Sequence, residues 1–146
     1  LVKEMKDEIS RTAGQATLTG KYPRGLIIEF MGSDISVYGE ETLAGDILRR
    51  MNGELLASGQ QQISKEQIIE MDPDAIFVIL IEGDYDHPKQ KLDMLYHEQA
   101  LRDVRCIREK RVYPLPLYSV YSSGIRTLDG IRYIGKGLYP DLYKEQ

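Results

Sequence analysis

Apolar residues recur along this chain with two periods, and the alternation between them lays out the elements. Leu1, Val2, Met5, Ile9 and Ala13 fall at three- and four-residue spacing among Lys, Glu and Asp, predicting an amphipathic helix that ends near Gly14 and begins without an N-cap. Tyr-Pro-Arg-Gly within Lys21 to Gly25 reads as a turn, and Leu26 to Met31 as a mostly buried strand. A loop is expected from Gly32 to Gly39. Leu43, Ala44, Ile47, Leu48 and Met51 then mark one helix face, which Asn52 and Gly53 can end through a left-handed C-cap; residues 54 to 62 read as loop.

The stretch 62 to 81 has the most complete local chemistry. Ser64 is placed as N-cap with Gln67 three positions on as its capping-box partner, and Ile63 can staple against Ile68. Pro73 stops this short helix. Ala75 to Ile81 has no polar alternation, so it predicts a strand covered on both faces, as in a parallel sheet. At roughly 100° per residue, Glu66 faces away from Ile68, Ile69 and Met71 and is expected in solvent, where an acid on the first turn is favoured by the helix dipole.

Beyond an acidic, turn-rich segment from Glu82 to Pro88, Leu92, Leu95, Tyr96 and Leu101 predict a helix over 89 to 103. Val112 to Leu117 contains Pro114 and Pro116, which restrict it to an edge strand or extended connector. Ile125, Leu128, Ile131, Ile134 and Leu138 predict a last helix from about Ser122 to Leu138. Strands and helices alternate throughout, and the expected fold is a Rossmann-like, three-layer α/β/α unit with a mainly parallel central sheet.

Composition narrows the function classes. At 146 residues, 42% hydrophobic and 29% charged, the chain can build one globular core. A net charge of -4 and scattered Arg and Lys give no footprint for nucleic acid. No apolar run approaches the roughly 18 residues of a spanning helix. Neither phosphate-cradling glycine motif occurs, nor does a G-x-S-x-G elbow. Gly135-Lys136-Gly137 reads as packing and C-capping. His87 and His97 with Asp84 and Asp86 show no recognised metal-ligand spacing, and Cys106, between Val104 and Ile107, suits a small buried position. The reading therefore includes no cofactor, metal or catalytic residue.

Ten tyrosines without a tryptophan change the picture more. Tyr113, Tyr118 and Tyr121 precede the last helix, while Tyr38 and Tyr85 follow the two best strands. In an open parallel sheet, ligands bind outside the strands' carboxyl ends, and a tyrosine offers such a ligand a flat face and a polar tip. Covering the core rim is the competing role. Arg126, near the start of the last helix, suits an anionic ligand or a surface ion pair. The ligand candidates are Tyr38, Tyr118, Tyr121 and Arg126.

Three phrases, ISKEQIIEMDPDAIFVIL, ALRDVRCIREKRVYPLP and SSGIRTLDGIRYIGKGLYPDLY, resemble in order and spacing the C-terminal lobe of the substrate-binding proteins of bacterial ABC importers for iron-siderophores, haem and cobalamin. The resemblance spans residues 25 to 143. Ser64, Glu66, Gln67, Pro73 and Asp74 match a phrase that occurs in each lobe of that family. Met51-Asn52-Gly53-Glu54 departs from the family's G-G-x-N, and Tyr139-Pro140 from its His-Pro. The resemblance implies that residues 1–20 are the end of an interlobe helix and its linker, that 21–146 form the C-terminal lobe, and that an N-terminal lobe is missing from the chain. It also implies an extracytoplasmic protein, periplasmic or lipid-anchored, that closes two lobes over a metal chelate or tetrapyrrole and docks on ABC permease subunits through Glu66. A small α/β enzyme and a stand-alone interaction domain are the rival readings.

Overall fold

The computed structural model describes residues 2–121 and 126–143. Leu1 in the first stripe, and the expected helix start over Ser122 to Ile125, lie outside the described residues. The chain forms α1 (Val2–Thr19), β1 (Arg24–Met31), β2 (Asp34–Val37), α2 (Leu43–Arg50), β3 (Glu54–Leu55), β4 (Gln62–Ile63) and α3 (Lys65–Met71), then β5 (Ala75–Leu80), α4 (Pro88–Tyr96), α5 (Arg105–Arg108), β6 (Val112–Pro116) and α6 (Thr127–Leu138).

The sheet runs β4-β2-β1-β5-β6, with β3 paired to β1. β5 is parallel to β1 and β6, β3 is parallel to β1, and β2 is antiparallel to both β1 and β4. All six residues of β5 are buried, as its unbroken apolar run requires. Their alternation supplies both core layers. Ile76, Val78 and Leu80 join Leu26 and Ile28 under Ile68, Leu95 and Cys106 of α3, α4 and α5. Ala75, Phe77 and Ile79 join Ile27 under α1, α2 and α6 through Ala16, Leu48 and Ile134. The mainly parallel three-layer architecture is the one the pattern predicts. Burial pushes the Cys106 thiol up to about 12, so this side chain acts as a small hydrophobe.

The edge position of β6 follows from its prolines. Ile76 N–H donates to Arg111 O at 3.1 Å, so residues 111, 113 and 115 turn their polar groups toward β5. Pro114 and Pro116 therefore place their missing donors on the outer side.

Four expectations need correction. α1 passes Gly14, beside which an added Cβ would meet nothing, because buried Ala16 extends its apolar stripe; Gly20, at φ +70°, takes the left-handed terminal position instead. Gly32 to Gly39 is not a loop throughout: Gly32-Ser33 make a two-residue turn, with Met31 opposite Asp34, and Ile35 and Val37 point into the core. Within residues 54–62, Glu54–Leu55 and Gln62–Ile63 add short strands that complete the sheet edge. The helix expected over 89 to 103 stops at Tyr96, since the Glu98 carboxylate accepts from Ala100 N–H at 3.4 Å and starts a separate 3₁₀ turn, Gln99–Leu101.

The capping box of α3 is as read from the sequence: Ser64 Oγ accepts from Gln67 N–H at 3.2 Å and Gln67 Oε1 from Ser64 N–H at 2.9 Å. Only Ile68 of this two-turn helix is fully buried, and Ile69, expected beside it, is 45% exposed.

Candidate functional site

Three local structures bring tyrosines together at the carboxyl ends of β5 and β6. After β5, Asp84 Oδ2 accepts from Ile81 N–H at 3.1 Å and Gly83 takes φ +101°, a tight turn that presents Tyr85. After β6, Pro116 leads into the 3₁₀ turn Leu117–Ser119, which carries Tyr118 and is fixed by the buried Ser119 Oγ donating to Pro116 O at 2.6 Å. Gly130 lets α6 approach that turn, because a Cβ there would strike the Ser119 carbonyl. The close approach sets Arg126, at the N-terminal end of α6, beside Tyr118.

The result is a stacked group. Tyr85 meets Tyr118 edge to face with centroids 5.3 Å apart, and the Arg126 guanidinium carbon lies 4.7 Å from the Tyr118 ring centroid. Tyr133, two turns along α6, is hydrogen-bonded to Tyr118; burial first, and this bond second, push its phenol pKa upward. These side chains surround a cavity of about 360 Å³, closed by Leu80 and by Pro88, Pro114 and Pro116. Rigid apolar walls, phenolic hydroxyls and one guanidinium suit recognition of a planar or bulky ligand.

Of the sequence candidates, Tyr118 and Arg126 meet in this cavity. Tyr121 is 77% exposed and does not line it. Tyr38 lies elsewhere: the unforeseen strand β2 turns the chain back, so Tyr38 N–H donates to Ile27 O at 3.0 Å, well before the carboxyl end of β1. There the half-buried Tyr38 donates to Glu29 Oε1 at 2.6 Å, and burial, followed by this carboxylate, pushes its phenol pKa up. Tyr85 was weighed with the loop tyrosines but not kept among the ligand candidates, and Tyr133 and the prolines were not singled out as lining residues. The signal for Tyr85 was its place after the best strand, and for Tyr133 its i+7 spacing from Arg126.

Glu66 is exposed and forms no ion pair among the described residues. Its place follows from strand registers: Ile35, one residue into β2 from the hairpin turn, faces Ile63, which immediately precedes Ser64, the N-cap of α3. The first turn of α3 therefore sits at the same end of the sheet as the tyrosine cavity, but at the β4 edge rather than the β6 edge.

The opposite end of the sheet holds a larger cavity, about 740 Å³. Its acids and bases are largely committed to each other. Asp74 accepts from Arg24 N–H at 2.9 Å and from Arg105 Nη2 at 2.6 Å, while Arg111 Nη2 donates to Gly137 O at 2.8 Å at the end of α6.

A three-layer unit with an aromatic cavity at the carboxyl ends of parallel strands belongs to the class of α/β ligand-binding domains. This chain belongs to the periplasmic binding protein family, whose model matches residues 1–118. It is 26% identical over 150 residues to the uncharacterized ABC transporter substrate-binding lipoprotein YvrC of Bacillus subtilis (strain 168), covering 99% of this chain and 45% of that protein. The crystal structure of a periplasmic binding protein from Veillonella parvula superposes with a TM-score of 0.92 at 37% identity, over 99% of this chain and 45% of the other. The triscatecholate siderophore-binding protein FeuA of Bacillus subtilis, solved with ferri-bacillibactin, shares the fold at a TM-score of 0.74 and 19% identity, over 95% of this chain and 52% of its own. The chain thus spans about half the length of these relatives. The family is extracytoplasmic, and no helix among the described residues is long and apolar enough to cross a membrane.

Proposed function

We propose that the chain is the C-terminal lobe of the substrate-binding component of an ABC importer, which captures an iron-siderophore, haem or cobalamin-type ligand between two lobes and hands it to a permease. The observation that carries this reading is the Tyr85-Tyr118-Arg126 stack over a cavity at the strands' carboxyl ends. Residues 1–20 then close an interlobe helix and its linker, residues 21–146 form the lobe, and an N-terminal lobe supplies the facing half of the cleft. Tyr118 and Arg126 contact ligand, Tyr121 reaches it from the rim, and Tyr38 supports the scaffold through Glu29. Exposed Glu66, at the same end of the sheet and clear of the cavity, contacts the permease.

Tyrosine fluorescence supplies the test, since the chain has ten tyrosines and no tryptophan. The product of the full reading frame should be quenched saturably by ferric chelates, haem or cobalamin, and this 146-residue chain far more weakly. Equal affinity of the two, or a reading frame without a second lobe, would sink the two-lobe reading. In the same protein, Glu66→Ala should leave ligand affinity unchanged and reduce binding to permease-containing vesicles; lost ligand affinity would refute the docking role.

A further inference from the structure

The cavity at the carboxyl ends is nearly uncharged, and that restricts what it can hold. Its lining consists of Leu80, three tyrosines, three prolines and Arg126, so Arg126 is the one charged side chain among the described residues that line it. That guanidinium is already stacked on Tyr118. Ser119, Val120 and Tyr121, which follow Tyr118, add no charged side chain. Around Tyr85 the balance is acidic: Glu82, Asp84 and Asp86 precede and follow it in the same turn, and Glu82 and Asp86 are exposed. The next cations of α6, Arg132 and Lys136, line the adjoining cavity with Asp129, and Arg132 lies 3.9 Å from the Glu8 carboxylate.

Ferric chelates differ sharply in charge. Three hydroxamates, each singly negative, neutralise Fe(III), whereas three catecholates, each doubly negative, leave a trianion. A trianion entering this cavity would meet a single lining cation and the acidic turn that carries Tyr85, with exposed Lys89 the next cation beyond Pro88, while losing much of its hydration. A neutral chelate loses far less hydration, and the phenols, prolines and stacked guanidinium match its apolar faces and oxygen-rich edge. Resting on the capture reading above, we propose that this half of the site selects ligands of low net charge, a neutral ferric tris-hydroxamate over a trianionic ferric tris-catecholate.

The experiment titrates the product of the full reading frame with both chelates by tyrosine quenching, in the parent and in Glu82→Lys, an exposed position. The parent should bind the neutral chelate tighter by about tenfold or more. Glu82→Lys should narrow that ratio about fivefold by improving tris-catecholate binding alone. Equal or tighter binding of the tris-catecholate by the parent, or a ratio unmoved by Glu82→Lys, overturns the charge selection and leaves capture intact. Failure to bind either chelate, haem or cobalamin overturns the capture reading itself, and the charge selection with it.

Discussion

The two ends of the parallel strands carry opposite kinds of chemistry. At the amino end, Asp72 and Asp74 tie β1, β5 and α5 together through Arg24 and Arg105, and Arg111 holds the last turn of α6. At the carboxyl end, Tyr85, Tyr118 and Arg126 rest on ring faces, with few directional bonds beyond the Tyr118 to Tyr133 pair. The amino-end cavity is the larger, about 740 Å³ against about 360 Å³, yet Asp74 and Arg105 there already satisfy one another. A polar group engaged within the fold has less to offer a ligand than an aromatic face and a cation that pairs with no carboxylate among the described residues.

If the amino end serves stability and the carboxyl end recognition, substitutions should separate the two properties. The largest effect is expected from Gly137→Ala, because the added Cβ would strike the ring of Phe77, a fully buried side chain on β5. Overpacking of about 1–3 kcal/mol should outweigh the roughly 1 kcal/mol that alanine contributes over glycine in a helix. Urea unfolding should show a clear net loss, while ligand affinity of the intact protein stays put. Tyr118→Ala should do the reverse. As a residue 39% exposed, it should change the urea midpoint little, but remove the ring that Tyr85 meets edge to face and that Arg126 lies over, and lower ligand affinity about tenfold. A large stability loss from Tyr118→Ala, with affinity unchanged, would break the division of labour.

The stretch from Ser64 to Leu80 was legible because local chemistry and global packing demand the same thing there: a capping box starts the helix, Pro73 stops it, and an apolar run fits a strand buried on both faces. The hairpin at Gly32-Ser33 was not read, although Asp34, Ile35, Ser36 and Val37 alternate, because four residues are a weak period and glycine with serine also suits a loop. That one miss displaced Tyr38 from the candidate site, since adding β2 reverses the chain direction. Tyr118 and Arg126 were found through topology, being residues that flank the end of an edge strand and the start of a helix. Tyr133 and the three prolines were not, because a cavity wall depends on which helix face meets which strand, and Gly130 decides that through a contact with Ser119.

The smallest effect expected concerns acid, and it probes the amino end alone. Asp72 ends α3 in the left-handed conformation, φ +43°, and accepts from the Arg105 backbone N–H and from Arg105 Nε, each at 2.9 Å. Partial burial pulls its carboxyl pKa upward, but the two Arg105 hydrogen bonds, with the charges of Arg105 and Arg108, outweigh that and hold it below the ordinary value. A folded-state pKa below the unfolded one, about 3.9, means the stabilisation is fully present above that pH and is lost as pH falls through the folded value. The side chains of Asp72 and Arg105 are 40% and 45% exposed, so screening limits the gain to about 0.5 kcal/mol. Asp72→Asn keeps a residue that tolerates positive φ, and removes the charge together with one of the two acceptor oxygens that Arg105 uses. At low salt it should unfold slightly more easily than the parent at pH 7, and the gap should narrow as pH falls below the unfolded value of about 3.9 and the parent's carboxylate takes up its proton. A gap that persists unchanged in acid would assign the contribution of Asp72 to hydrogen-bond geometry, and the amino end would then be held by shape more than by charge.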